Sequence, residues 1–92
     1  MIKSFKCRDT ETMFNGHRIG RFVNIQSAAM RKLAMLNVAG GIEDLRIPPG
    51  NRLEALKGKR QGQWSIRIND QWSICFRFEA GNAFDVEIVD YH

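Results

Sequence analysis

Residues 63–90 read QWSIRIND QWSICFRFEA GNAFDVEIVD, and this stretch decides the fold. In 63–68, Trp64, Ile66 and Ile68 alternate with Gln63, Ser65 and Arg67. In 71–78, Trp72, Ile74, Phe76 and Phe78 alternate with Gln71, Ser73, Cys75 and Arg77. In 83–90, Phe84, Val86 and Ile88 alternate with Asp85, Glu87 and Val89. Successive strand side chains point to opposite faces, so a period of two marks strands with one apolar face. Asn69-Asp70 and Gly81-Asn82 supply tight turns between the runs, which predicts three antiparallel strands in a meander. Trp64 and Trp72 share the apolar face and are assigned to packing, not to base stacking.

The apolar face needs a partner, and the chain before it provides one. Phe22, Ile25, Ala29, Leu33 and Leu36 recur three or four apart, the stripe of an amphipathic helix. Asn24 is the expected N-cap, its side-chain oxygen taking a free N–H of the first turn. Gly40-Gly41 is expected to close the helix in the left-handed conformation that glycine tolerates. Residues 2–6 read as a short strand, residues 8–21 as turns with a short irregular helix, and 42–45 as a further half-turn. Pro48-Pro49-Gly50 breaks any helix. Residues 52–57 read as a short strand, and 57–62 as a basic loop. The expectation is one α+β domain over 1–92, with helices packed on one face of an antiparallel sheet.

Composition narrows the function classes. The chain has 92 residues, 43% hydrophobic and 26% charged, which fits a single folded domain rather than a disordered tail. No apolar run approaches the roughly 18 residues of a membrane span, and the N-terminus lacks the apolar stretch of a secretory signal. Cys7 and Cys75 are two cysteines without a CxxC spacing, so two reduced thiols in a cytoplasmic protein are expected. His17 and His92 are the only histidines, and no carboxylate cluster has ligand spacing, so no metal and no other cofactor is expected. Gly58 and Gly62 form neither a P-loop nor a dinucleotide fingerprint.

Charge is unevenly spread. Residues 1–45 carry net +3, residues 46–67 net +5 and residues 68–92 net −4. The basic middle is suited to phosphates, although a solvated charge cluster is an equally good reading at this point. The polar sheet face carries Ser65, Arg67, Ser73, Arg77, Asp85, Glu87 and, by continued alternation, Tyr91. A short turn at Asn69-Asp70 sets Arg67 opposite Ser73. If the basic loop folds over this face, Tyr91, Arg67 and Lys57 converge on one positively charged hollow. Arginine grips a phosphate through two parallel N–H bonds and lysine acts as a point charge. Tyrosine stacks on a base or bonds a phosphate oxygen, and Asp90 and His92 are proton carriers. Those parts suit RNA, whose own 2′-OH attacks the adjacent phosphate. The plainer reading also stands: Arg67 and Arg77 pair with Asp85 and Glu87 across strands, Tyr91 packs on the sheet edge, and His92 is a frayed end.

The order Leu56-Lys57-Gly58-x-Arg60-x-Gly62-x-Trp64-Ser65-Ile66, then Asn69-Asp70-Gln71-Trp72-x-Ile74-Cys75-Phe76, then Val86-Glu87-Ile88-Val89-Asp90-Tyr91-His92 resembles the HigB toxins of the RelE superfamily. Met1-Ile2-Lys3-Ser4-Phe5, Arg31-Lys32-Leu33-Ala34-Met35-Leu36 and Pro48-Pro49-Gly50-Asn51-Arg52-Leu53 extend the resemblance over essentially the whole chain. It implies a bacterial type II toxin with a curved RelE-like sheet, a metal-independent endoribonuclease that cuts mRNA in the ribosomal A site. It also implies a HigA antitoxin with a helix-turn-helix, through which alone the complex meets operator DNA.

By position, Lys57 would contact the scissile phosphate, while Asp90, Tyr91 and His92 would orient substrate and move protons. Lys59 and Arg60 would hold ribosomal or messenger RNA, with Arg67 and Arg77 among the RNA-binding cations. The sequence departs from the pattern twice. Glu54 stands where family members often carry histidine, and a carboxylate can still serve as base. Ser73 stands where a phosphate-binding arginine is expected, which predicts either compensation by Arg67 or an attenuated toxin. The competing expectation is a non-catalytic basic partner that only completes an antitoxin repressor complex on DNA.

Overall fold

The structure, a computed structural model, describes residues 1–90. Two α-helices, α1 (Arg8–Phe14) and α2 (Gln26–Val38), precede four strands: β1 (Glu54–Ala55), β2 (Trp64–Arg67), β3 (Trp72–Glu79) and β4 (Asn82–Asp90). The strands form one sheet in the order β1-β2-β3-β4, every neighbouring pair antiparallel. The meander is therefore as the alternation predicts, and the short strand expected within 52–57 is reduced to the two residues 54–55. The N-terminal segment runs parallel beside β4 through two isolated bridges, Ile2 with Ala83 and Phe5 with Val86, rather than as a continuous strand.

The stripe on α2 fixes how the layers meet. Phe22, Ala29, Leu33 and Leu36 are fully buried and Ile25 nearly so. They face Ile66, Ile74, Phe76, Ala83, Val86 and Ile88 of the sheet, with Met13 of α1 and Leu45 closing the sides. Trp72 meets the Phe22 ring edge-on at 5.5 Å, so both tryptophans pack against the core as expected. Burial of this apolar surface is the main stabilising term for a domain of this size.

Both ends of α2 differ from the sequence reading. Asn24 does not cap the helix; Ile25 is the flanking residue and no side chain caps it. A 3-10 turn at Gly20–Phe22 leads straight in, its own carbonyls accepting the N–H groups of Val23 and Ile25. At the other end, Ala39 is already extended. Neither Gly40 nor Gly41 takes the left-handed conformation; their N–H groups instead donate to Asp44 Oδ2 at 2.9 and 3.3 Å. The β3–β4 turn is centred on Ala80-Gly81, one residue earlier than expected, with Glu79 opposite Asn82. Gly81 has φ +79, and a Cβ there would lie 3.2 Å from the Gly40 carbonyl oxygen, so glycine is required for both conformation and space.

One residue changes face. The pairing shifts between Cys75–Glu87 and Arg77–Phe84, so β4 carries one extra residue against β3. Asp85 has φ +55 at this bulge, and its N–H donates to Ser4 Oγ at 2.9 Å. A bulge reverses the alternation beyond it. Phe84, expected in the core, therefore sits on the polar face, where the Arg77 guanidinium lies 5.2 Å from its ring centroid.

Candidate functional site

The polar face is organised in two rows across the sheet. Glu54 pairs with Ser65, Ser65 with Cys75 and Cys75 with Glu87. Arg67 pairs with Ser73 and Ser73 with Val89. The expected juxtaposition of Arg67 and Ser73 is thus a backbone register contact. At the β1–β2–β3 end the rows floor a pocket of about 170 Å³, with Ser65 and Ser73 at its base and Glu54, Arg67 and Arg52 on its walls. Asn69 and Asp70 of the β2–β3 turn form the rim. The turn is held by Asn69, whose Oδ1 accepts the N–H groups of Gln71 and Trp72. Arg67 is oriented by the same turn: Nη2 pairs with Asp70 and Nε donates to the Asn69 carbonyl at 3.1 Å. The Asp70 side chain is 98% exposed, so this ion pair is solvent-screened and contributes little to stability.

Arg52 enters the pocket from a separate loop. It follows a 3-10 turn at Pro49–Asn51 and adopts a left-handed backbone, φ +46 and ψ 54. A non-glycine residue held there costs on the order of 1 kcal/mol. The neighbouring Asn51 sustains it: fully buried, Asn51 donates Nδ2 to the Leu45 carbonyl at 3.1 Å and accepts from Lys32 Nζ. Among the described residues the Arg52 guanidinium has no hydrogen-bond or ion-pair partner.

The basic loop folds over the polar face, as its position allowed. Arg60 Nη1 donates to Glu87 Oε1 of β4 at 2.8 Å and to Gln63 Oε1 at 3.1 Å. This latch bridges 27 residues of sequence, and Glu87 lies opposite Cys75, which is fully buried. Burial pushes the Cys75 thiol above its ordinary pKa, with the Arg60, Glu87 and Lys6 charges acting in smaller, partly opposing ways. Lys57 and Lys59 are exposed on the loop and lie outside the pocket lining.

The remaining expected residues are spread along the face. Arg77 sits beyond the bulge, paired with Asp85 at 2.9 Å and Glu79 at 3.0 Å. The Asp85 hydrogen bond, followed by smaller contributions from the two carboxylate charges, raises its pKa further. Asp90 lies opposite Trp72 at the strand end and accepts a hydrogen bond from Gln71 Nε2 at 3.1 Å. Tyr91 and His92 lie outside the described residues. The structure therefore joins Glu54, Arg67 and Ser73 in one pocket, and holds Arg60 over the adjoining sheet. It leaves Lys57, Lys59, Arg77 and Asp90 off the lining. Arg52, Asn69 and Asp70 are pocket residues that the sequence reading did not select; the turn dipeptide beside Arg67 was a usable signal for the last two. Among the described residues, no group of three or more His, Cys, Asp or Glu side chains is placed to hold a metal ion, and no helix is long and apolar enough to cross a membrane.

The family described as "RelE-like toxin of type II toxin-antitoxin system HigB" matches residues 3–92. The chain belongs to this family. It is 38% identical over 87 residues to Toxin HigB-1 of Vibrio cholerae, covering 92% of each chain. It is 33% identical over 93 residues to Endoribonuclease HigB of Proteus vulgaris, covering 100% of both. In three dimensions it resembles a chain in the crystal structure of the heterotetrameric YoeB–YefM toxin–antitoxin complex of Staphylococcus aureus, with a TM-score of 0.58 at 14% identity over 100% of this chain and 98% of that one. That likeness establishes the RelE-like fold. Membership in a HigB-like toxin family makes an antitoxin the expected binding partner of this chain.

Proposed function

We propose that this HigB-like toxin is an mRNA endoribonuclease that acts on the ribosome, in the A site, and so arrests translation and growth. The observation that carries the reading is the pocket itself. Two guanidinium-bearing residues, two carboxylates and two hydroxyls line a single hollow on the polar sheet face. The full-length similarity to a chain named Endoribonuclease HigB supports the same reaction class.

The chemistry follows from the donor set. RNA brings its own nucleophile, the ribose 2′-OH. Its attack on the adjacent phosphorus forms the 2′,3′-cyclic phosphate and breaks the P–O5′ bond, leaving a 5′-OH on the downstream fragment. The 2′-OH proton passes to a base, and the leaving oxygen takes a proton from an acid. Glu54 is the carboxylate placed to accept the first proton. Arg67 neutralises the charge that develops on the phosphate oxygens. Lys57 on the loop, with Asp90, Tyr91 and His92 at the chain end, completes substrate orientation and proton transfer, and Lys59 and Arg60 hold the RNA backbone. No step requires a metal ion. The toxin works in the cytoplasm, where a HigA-type antitoxin restrains it and links the pair to operator DNA.

Primer extension after brief induction without antitoxin tests the reading: new 5′ ends inside translated codons are expected, and growth arrest with intact transcripts overturns it. Ser73 favours a second reading. The floor of the pocket is neutral, and Arg67 opposite it is shared with Asp70. A non-catalytic partner of an antitoxin repressor would show neither arrest nor cut transcripts. If the pocket is active but attenuated, Ser73→Arg raises toxicity; an unchanged growth phenotype contradicts attenuation.

A further inference from the structure

We propose that Arg52 is a substrate-binding residue of this pocket, its guanidinium contacting the phosphodiester that is cut. The assignment rests on the endoribonuclease reading above and adds to it a residue that neither the strand pattern nor the basic loop identifies.

Four observations converge on it. Arg52 lines the same hollow as Glu54, Arg67 and Ser73 although it comes from a separate loop before β1. Its backbone is left-handed, at φ +46, where a residue with a side chain is strained. Strain of this kind persists only where the surroundings over-determine it, and it clusters at ligand sites. Here the surroundings are explicit. The Arg52 N–H bonds the Pro49 carbonyl at 3.1 Å, and the preceding Asn51 is fully buried, tied to Leu45, Met35 and Lys32. An arginine that served only to solubilise the surface would need no such anchor.

The third observation is electrostatic. Arg67, the other cation of the pocket, is already engaged by Asp70 and the Asn69 carbonyl. Among the described residues Arg52 has no such partner, so its donors are available to an incoming anion. The fourth is the floor: Ser73 is 8% exposed and uncharged, so positive charge must come from the walls. A guanidinium on each of two walls suits a phosphodiester, whose non-bridging oxygens accept parallel N–H bonds.

The test is single-turnover cleavage of a labelled transcript on programmed ribosomes. Arg52→Gly relieves the backbone strain and removes the side chain, guanidinium included. It is expected to lower the cleavage rate about 10²-fold while the thermal midpoint holds or rises. Arg52→Lys keeps the charge without the fork and is expected to recover roughly tenfold of that loss. Arg31→Ala, on the outer helical layer, removes the same unit of charge and is expected to change the rate less than about threefold. Full activity of Arg52→Gly beside a cutting native chain overturns this assignment alone. Equal losses in Arg52→Gly and Arg31→Ala also overturn it, because bulk charge would then explain the effect. So does an Arg52→Gly chain that cuts normally but binds its antitoxin more weakly. A native chain that cuts no transcript removes the endoribonuclease reading and this assignment together.

Discussion

The two ends of the polar sheet face carry similar residue types and differ in how those residues are satisfied. Beyond the bulge, Arg77 is bracketed by Asp85 and Glu79 and stacked on Phe84. At the β2–β3 turn, Arg67 has one exposed carboxylate partner, and Arg52 has none among the described residues. One arginine is spent on internal pairing; the other two line a hollow. Charge alone therefore does not mark a site. What distinguishes the pocket end is one guanidinium, that of Arg52, with no partner among the described residues, beside another held only by an exposed carboxylate and a turn carbonyl.

This contrast can be broken experimentally. The largest effect is expected at Glu54. Glu54→Gln keeps the shape and removes the proposed base, so cleavage should fall about 10²- to 10⁴-fold with little change in melting. An unaffected rate would show that the carboxylate is a bystander. Lys57→Ala should relieve growth arrest and lower cleavage by about 10²-fold, because the charge proposed to meet the phosphate is lost; a fully toxic variant would remove Lys57 from the proposed site.

Glu87→Gln tests the latch. It removes the Glu87 charge from the Arg60 contact, and a loss of about 1–3 kcal/mol in stability is expected from chemical denaturation. Cleavage should fall about tenfold as the loop carrying Lys57 and Lys59 loosens, and an unchanged rate would mean that the loop position is irrelevant to activity. Arg77→Ala should be the mildest change, lowering cleavage less than about threefold. A loss matching that of Lys57→Ala would shift the site towards the bulge.

The cysteines give an independent check on the same face. Burial pushes the Cys7 thiol up, but hydrogen bonds from Thr10 and Asp9 and the Arg21 charge outweigh it, so its pKa lies below the ordinary value. At a given pH near neutrality Cys7 thus carries more thiolate than Cys75, whose pKa is raised by burial. Iodoacetamide should label Cys7 first and reach Cys75 only as the chain unfolds. Early labelling of Cys75 in native protein would contradict the covered face.

Much of this was readable before any coordinates, and the reasons are physical. Alternation is a local property, so 63–68 and 71–78 gave the strands, and a short turn then forced Arg67 opposite Ser73. The helix stripe from Phe22 to Leu36 is equally local. Phe84 was misplaced because a bulge shifts alternation by one residue, and the left-handed Asp85 that makes the bulge has no compositional signature. Arg52 was missed for the same reason: its backbone is dictated by Asn51, whose partners Met35 and Lys32 lie on α2. The Arg60–Glu87 latch depends on folding the loop across three strands, a tertiary event that charge counting cannot register. Asn24 lost the capping role because the preceding 3-10 turn delivered the chain already wound.

The most direct measurement is end-group analysis of a transcript cut in vitro on programmed ribosomes, comparing the native chain with Arg67→Ala in the presence of EDTA and enough free magnesium to keep ribosomes intact. The pocket account predicts a 5′-OH downstream fragment, a cyclic or 3′-phosphate upstream fragment, and a rate lowered about 10²-fold in the variant. A 5′-phosphate product, or equal rates in the two proteins, would contradict it.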